Sequence, residues 1–234
     1  MQVFYAPEIA GNEYVLDENE SGHCIRVLRM RAGTAVKLID GKGTLYDAVI
    51  SKADSRKCCL EITGVTSDFE KRGYRLHMAV SPLKNHERFE WFLEKSVEIG
   101  VDEITPLICD KTEKTGFRRE RMNNIIISAM KQSLKATLPV LHEPCNFSEF
   151  IGRTHMNTRL IAHCSPVHTR NRISDMYSAG QDALVLIGPE GDFSENEILA
   201  ANAAGFAGVH LGQSRLRSET AGIAACCLVY LLNQ

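Results

Sequence analysis

Two stretches near the C-terminus decide the fold: Ile187-Gly188-Pro189-Glu190-Gly191-Asp192-Phe193 and Leu211-Gly212-Gln213-Ser214-Arg215-Leu216-Arg217-Ser218-Glu219-Thr220-Ala221. Each follows an apolar run that predicts a strand, and each leads into a predicted helix. A capping-box pattern, Ser194-Glu195-Asn196-Glu197, marks the helix after the first stretch. In α/β proteins, loops after the carboxyl ends of parallel strands form the ligand site. The two stretches together therefore predict a cofactor cleft.

The composition limits the class of protein. The chain has 234 residues, 44% of them hydrophobic, which is enough for one large core or two smaller ones. There are 27 Lys and Arg residues against 29 Asp and Glu residues, so any nucleic-acid contact must depend on local basic patches. The pattern of eight cysteines contains no CxxC pair and no zinc-ligand spacing. We therefore expect a reduced, metal-free, cytoplasmic protein.

No part of the sequence has the pattern of a membrane or export segment. The opening residues 1–7 lack a basic region followed by a long apolar run, and no later apolar run reaches membrane-spanning length. We expect neither export nor a membrane anchor.

A polar, glycine-ended stretch at residues 67–73 predicts a domain boundary. Before it, short strand patterns predict a small β-barrel in residues 1–70 with one short helix at 22–28. After it, strands and helices alternate through residues 73–234, which predicts an α/β domain with a parallel sheet. The predicted strands are 3–6, 14–16, 34–39, 45–51, 57–63, 76–80, 103–109, 140–142, 159–163, 183–187 and 208–211. The predicted helices of the second domain are 87–99, 118–136, 147–151, 170–177, 194–204 and 218–232.

The glycine-bearing loops do not fit the common nucleotide sites. Neither the P-loop string GxxxxGK[ST] nor the dinucleotide string GxGxxG occurs. Gly188 and Gly191 permit a close backbone approach, while Pro189 fixes φ and removes an amide donor. Such a loop suits a neutral, planar adenine better than a pyrophosphate.

The strings GPEG-D-F-S-x-x-E at 188–197 and L-G-x-x-x-L-R-x-E-T-A at 211–221 resemble the RsmE family of SPOUT-class methyltransferases. The resemblance covers nearly the whole chain, and Asp192 stands where that family usually has a third glycine. It implies S-adenosylmethionine-dependent methylation of N3 of a uridine in 16S ribosomal RNA on the small ribosomal subunit. It also implies a PUA-like, RNA-binding β-barrel at 1–70 and a SPOUT-type domain with a C-terminal trefoil knot at 73–234.

The resemblance assigns a cofactor site made mostly of backbone and aliphatic groups. The implied cofactor-binding residues are His163, Ile187, Gly188, Pro189, Glu190, Gly191, Leu211, Gly212, Leu216, Thr220 and Ala221.

Removal of the proton from uridine N3 leaves negative charge on the base, which a fixed guanidinium would stabilise. Arg217 is the first catalytic candidate and Arg215 the second. The alternative for Arg217 is a surface or interface salt bridge. Glu190 and Glu219 are candidates for a general base, and each could instead bond to backbone amides or cap a helix.

Residues 111–135 contain seven Lys and Arg residues and only two Glu residues. This local excess predicts contact with RNA phosphates, and the alternative is a solvated helix face. The predicted RNA-binding residues are Arg26, Arg29, Arg31, Lys111, Lys114, Arg118, Arg119 and Arg121.

The resemblance also implies a homodimer with the active site at the interface, although the apolar helix at 223–232 could equally be core. Three other functions remain open at this point. The chain could be a catalytically silent RNA-binding or ribosome-assembly protein, a methyltransferase acting on another RNA, or a doubly wound nucleotide-binding oxidoreductase.

Overall fold

The structure is a computed structural model that describes residues 2–153 and 156–234. The strands are β1 Val3–Tyr5, β2 Glu13–Val15, β3 Ala35–Ile39, β4 Leu45–Lys52, β5 Cys59–Thr66, β6 Leu76–Val80, β7 Glu103–Ile108, β8 Val140–Leu141, β9 Cys145–Asn146, β10 Thr158–Ala162, β11 Asn171–Arg172, β12 Ala183–Ile187 and β13 Ala207–His210. The helices are α1 Glu18–Gly22, α2 His86–Ile99, α3 Arg119–Gln132, α4 Phe147–Arg153, α5 Ile173–Met176, α6 Glu195–Ala203 and α7 Ser218–Leu231.

The chain divides into two compact units. The first contains residues up to Lys71 together with Ile127–Leu138, and the second contains Arg72–Ile126 and Pro139–Gln234. The predicted division placed all of residues 73–234 in one domain, whereas the C-terminal half of α3 and the turn after it group with the first unit. Local sequence pattern does not report this grouping, because it depends on contacts between residues far apart in the chain.

The first unit is built on a five-stranded sheet with the order β1-β3-β4-β5-β2. Strands β1 and β3 are parallel and the other neighbours are antiparallel. Its core includes the fully buried Phe4, Leu38 and Leu60. The predicted helix at 22–28 is wrong in detail, because α1 begins earlier with Asp17 capping its first turn and a π-helical turn, His23–Val27, follows it.

The helix predicted at 118–136 ends earlier, at Gln132. Leu134 adopts the left-handed conformation with φ of 57°, and the Ser133 hydroxyl donates to the Ala129 carbonyl at 2.7 Å. A left-handed residue after the last turn ends a helix in the way that a glycine would.

The second unit contains a parallel sheet with the order β11-β13-β10-β12-β6-β7-β8, and the short strand β9 also pairs with β7. All residues of β6 and β12 are buried, as expected for central strands covered on both faces. Helices α4 and α6 pack near the face that carries Leu184 and Leu186, and α7 packs on α2, β6 and β12. The predicted fold class is therefore confirmed.

The last crossover sets the position of the two glycine-bearing loops. β12 lies on one side of β10 and β13 on the other, so the chain crosses β10 through α6 and returns along residues 211–217 to α7. Whether this return threads a trefoil knot stays a prediction of the resemblance.

The helix predicted at 170–177 is largely absent. Asn171 and Arg172 instead form β11, paired in parallel with Val209 and His210 of β13, and only Ile173–Met176 is helical. Backbone pairing with β13 satisfies groups that a helix would otherwise pair internally. In the part of the chain that the structure describes, no helix is long and apolar enough to cross a membrane.

Candidate active site

A cleft of about 780 Å³ lies in the second unit, where the loops after β12 and β13 meet. Both loops leave the carboxyl ends of parallel strands, the usual ligand position in open α/β sheets. The residues that line the cleft are Ala162, Cys164, Arg170, Ile187, Gly188, Pro189, Glu190, Gly191, Asp192, Gly212, Gln213, Ser214, Arg215, Leu216, Arg217, Ser218 and Ala221.

Most of the residues predicted to bind the cofactor meet at this cleft. Eight line it, namely Ile187, Gly188, Pro189, Glu190, Gly191, Gly212, Leu216 and Ala221, and three do not, namely His163, Leu211 and Thr220. Sequence reasoning missed Arg170, whose guanidinium donates to the His163 carbonyl at 3.2 Å. Nothing in the local sequence marks Arg170, because its position at the cleft depends on how the segment before β11 folds against the residues after β10.

His163 is buried but its ring does not line the cleft. The ring packs beside Gly208, where an added Cβ would lie 2.9 Å from His163 Nε2. Neither ring nitrogen has a hydrogen-bond partner among the described residues. Burial lowers the pKa of His163, so the ring is neutral at physiological pH. Its predicted contact with the cofactor stays a prediction.

Asp192 shapes the first loop by adopting a conformation that favours glycine. Its φ is 61°, so a left-handed residue stands where the resembling family has glycine. One carboxylate oxygen accepts from Phe193 N at 2.8 Å and the other from Cys164 N at 2.7 Å. Asp192 therefore joins the loop after β12 to the residues after β10.

Lys111, in the segment after β7, forms hydrogen bonds to the same loop. Its ammonium group donates to the Gly191 carbonyl at 2.9 Å and to the Phe193 carbonyl at 3.2 Å. Asp110 beside it accepts from the Ser194 hydroxyl at 2.6 Å, and its backbone N donates to Glu197 at 2.9 Å. The ammonium group predicted to bind RNA thus contacts backbone oxygens of the cofactor loop.

The two candidate carboxylates lie in different environments. Glu190 accepts from the backbone N of Lys84 at 3.0 Å, so it connects the first loop to the segment after β6. Glu219 is buried, with Oε1 3.7 Å from Arg88 Nε and Oε2 without a hydrogen-bond partner among the described residues. Glu219 does not line the cleft.

Arg215 and Arg217 both line the cleft and are exposed. Within residues 2–153 and 156–234 neither guanidinium has an ion-pair or hydrogen-bond partner, whereas Arg75 pairs with Asp182 at 2.9 Å and Arg121 with Glu90 at 2.6 Å. Arg217 is also the N-cap residue of α7, and its carbonyl accepts from Ala221 N at 2.7 Å. The helix start thus fixes its backbone, while its charge stays available to a ligand.

A second, basic cleft of about 930 Å³ lies between the start of α2 and the segment before α3. Lys84, Asn85, His86, Glu87, Glu90, Lys114, Gly116, Phe117, Arg118, Arg121 and Met122 line it. Most basic side chains predicted to bind RNA in this region are already engaged: Arg121 pairs with Glu90, and Arg119 bonds Glu143 and the Leu141 carbonyl. Lys114 and Arg118 lack such partners among the described residues.

In the first unit, the three predicted arginines are exposed. Arg26 donates to the Ser55 hydroxyl at 3.2 Å, and Arg29 adopts a left-handed φ of 53°. Together with Arg31 they form a basic surface on and after the π-helical turn.

The second unit is an α/β domain with a parallel sheet and an arginine-lined cleft at the carboxyl edge of that sheet, the position at which α/β proteins bind ligands. The RNA methyltransferase domain family model matches residues 70–230, and an RNA methyltransferase PUA domain model matches residues 16–63. The chain belongs to this RNA methyltransferase family, and the predicted resemblance to RsmE is confirmed.

Individual relatives agree with this assignment. Ribosomal RNA small subunit methyltransferase E of Aquifex aeolicus is 27% identical over 229 residues, covering 96% of each chain. The crystal structure of a probable rRNA-methyltransferase from Porphyromonas gingivalis is 46% identical with a TM-score of 0.93, covering 100% of this chain and 98% of the other. The crystal structure of a ribosomal RNA small subunit methyltransferase E from Neisseria gonorrhoeae bound to S-adenosyl methionine is 29% identical with a TM-score of 0.90. That match covers 100% of this chain and 98% of the other.

Proposed function

We propose that the protein transfers a methyl group from S-adenosylmethionine to N3 of a uridine in 16S ribosomal RNA. The observation that carries the proposal is a pair of guanidiniums, those of Arg215 and Arg217, that have no partner among the described residues and line a cleft built from the two family loops. The similarity to a methyltransferase E solved with S-adenosyl methionine supports the cofactor. A cytoplasmic location follows from such a substrate and stays a prediction.

The residues at the cleft fit this cofactor. Its volume of about 780 Å³ lies within the range of about 300 to 1,000 Å³ that is usual for small-molecule sites. Gly212 has φ of 119° and open space where a Cβ would stand, so a ligand can reach its backbone. The backbone of Gly188–Gly191 and the side chains of Ile187 and Leu216 would hold the neutral adenosine part.

The protein's contribution to the reaction is positioning and electrostatics. S-adenosylmethionine supplies a methyl group already activated by its sulfonium. The two loops orient that group toward the base, which lowers the entropic part of the barrier. Arg217, and Arg215 on the same cleft, would stabilise the negative charge that develops on the uridine as the N3 proton passes to solvent water; the methyl group then bonds to N3 and S-adenosylhomocysteine is the leaving product.

Neither carboxylate near the loops is assigned as the base. Glu190 bonds to the backbone of Lys84, and Glu219 is buried outside the cleft beside Arg88. Each carboxylate therefore has a structural role. Glu190 holds the first loop, and Glu219 packs at the start of α7.

Lys111→Met is expected to weaken S-adenosylmethionine binding about fivefold to tenfold, because two hydrogen bonds from a charged donor to the loop carbonyls are lost. The kcat at saturating cofactor should change little, since Lys111 holds the loop and does not reach the reacting atoms. Calorimetry and steady-state kinetics measure the two effects. Lys114→Met, which removes an exposed lysine close by in the chain, is the matched control. Equal cofactor affinity in both variants would contradict the role of Lys111 in holding the loop.

We propose that the basic cleft of the second unit binds RNA, and that the Arg26, Arg29 and Arg31 surface of the first unit also contacts RNA. Lys114→Glu with Arg118→Glu should weaken RNA binding and flatten its salt dependence, because each removed phosphate contact lowers the slope by about one. Filter binding at several salt concentrations gives that slope. Lys57→Glu, an exposed change in the first unit, is the control, and an unchanged slope in the double variant would remove the basic cleft from the interface.

We also propose that the functional domains are residues 1–70 and 73–234. We further propose that the protein is a homodimer. A dimer with a shared site would place arginines from either subunit near the base.

The position of the methyl group is tested by nucleoside mass spectrometry of digested RNA after reaction. N3-methyluridine supports the proposal, whereas methylation of ribose or of another base atom would assign a different target atom to the same cleft. Absence of both methylation and cofactor binding would favour a silent RNA-binding protein.

A further inference from the structure

A cluster of side chains outside both clefts has the composition of a metal site. His77 is on β6, Glu103 is on β7, and His142 directly follows β8, so the three come from neighbouring parallel strands. His77 is paired in register with Glu103, and the backbone N of His142 bonds the Ile104 carbonyl at 2.9 Å. One potential ligand atom from each side chain lies within 4.8 Å of the others.

The distances are close to those that a bound ion requires. His142 Nε2 lies 2.8 Å from Glu103 Oε2, and His77 Nδ1 lies 3.9 Å from the same oxygen. Tetrahedral zinc with bonds of about 2.0 to 2.2 Å separates its ligand atoms by about 3.3 Å. The two distances to Glu103 Oε2 each differ from this spacing by about half an ångström, and the ligand atoms of His77 and His142 lie no more than 4.8 Å apart.

The surroundings orient the ligands. His77 Nε2 lies 2.8 Å from the buried Thr105 hydroxyl, and donation of its N–H there leaves the Nδ1 lone pair facing Glu103. Metal-bound histidines usually use the second ring nitrogen in this way. The rings of Phe150 and His77 make a T-shaped contact with 5.6 Å between their centroids. The side chain of His142 is 40% exposed, which leaves a path for an ion and a water.

We propose that His77, Glu103 and His142 bind a zinc ion with a water as the fourth ligand. Two imidazoles and one carboxylate are a donor set that suits zinc. The histidine on β6 and the glutamate on β7 lie toward the amino ends of their strands, whereas the cofactor loops leave the carboxyl ends. The ion would thus act away from the chemistry, by joining the two-residue strand β8 to β6 and β7.

Zinc titration of the purified protein tests the site. We expect one equivalent of Zn²⁺ per chain, and a melting temperature that rises with zinc because the ion binds the folded state. His142→Ala, at the exposed ligand, should weaken zinc binding about 100-fold or more and abolish the thermal shift. His23→Ala, an exposed histidine in the other unit, is the matched control. His142→Ala should leave the affinity for S-adenosylmethionine unchanged.

Cobalt(II) distinguishes this site from the eight free cysteines. A visible spectrum of a tetrahedral ion, without the near-ultraviolet band of a thiolate ligand, is the expected result. Equal zinc affinity in wild type and His142→Ala, or a thiolate band that His142→Ala leaves unchanged, would overturn the assignment.

Discussion

Arg217→Ala is expected to lower kcat about 100-fold to 1,000-fold while the affinity for S-adenosylmethionine stays close to normal. Removing one fixed donor from a site of developing negative charge costs about that much in other enzymes. The guanidinium of Arg217 has no partner among the described residues, so its loss leaves no buried charge unpaired. Single-turnover methyl transfer and calorimetry separate the chemical step from cofactor binding.

Two further variants make this prediction specific. Arg217→Lys keeps the charge but loses the planar fork, and it should recover only part of the activity. Arg172→Ala removes an exposed arginine of β11 that does not line the cleft, so it should behave as wild type. Near-normal turnover of Arg217→Ala with intact cofactor binding would contradict the role proposed for this residue.

Gly208→Ala is expected to destabilise the second unit by about 3 kcal/mol or more, since it overpacks a site that cannot relax. An added Cβ would clash with the Thr169 carbonyl oxygen and lie 2.9 Å from His163 Nε2. The first of these atoms is backbone just before β11, and the second belongs to a buried ring. The clash at this position should also displace the loop after β13, and with it Arg215 and Arg217.

Urea and thermal unfolding measure this effect. Gly152→Ala is the matched control, because Gly152 is an exposed helical glycine and no described residue outside its own helix lies within 4 Å of an added Cβ. That control should be neutral or slightly stabilising, since alanine favours helix. If Gly208→Ala unfolds at the same urea concentration as Gly152→Ala, the close packing of β13 against the segment before β11 is wrong.

The architecture of the second unit could be predicted from the sequence because it depends on local sequence patterns. Buried parallel strands are continuous apolar runs, and the central strand β12 has the predicted limits. The capping box at Ser194 and Glu197 forms as predicted. Glycine and proline at fixed offsets placed the two loops at the carboxyl edge, and eight of the eleven expected cofactor residues line one cleft.

The parts that sequence did not predict depend on contacts between distant residues. Charge counting cannot show that the ammonium group of Lys111 bonds the Gly191 and Phe193 carbonyls, or that Arg121 is already paired with Glu90. The residues at 171–172 form a strand only because β13 lies beside them. Local ligand spacing could not bring together His77, Glu103 and His142, because they come from three separate segments of the chain; the expectation of a metal-free protein stays a prediction, which the zinc titration tests.

The most direct test of the proposed function is methyl transfer from labelled S-adenosylmethionine to small ribosomal subunits prepared without the modification, with naked 16S ribosomal RNA measured in parallel. We expect one N3-methyluridine per small subunit, formed by the wild-type protein and nearly lost in Arg217→Ala. Measurable cofactor binding with no label in either the subunit or the naked RNA would contradict it, and another RNA would then be the substrate.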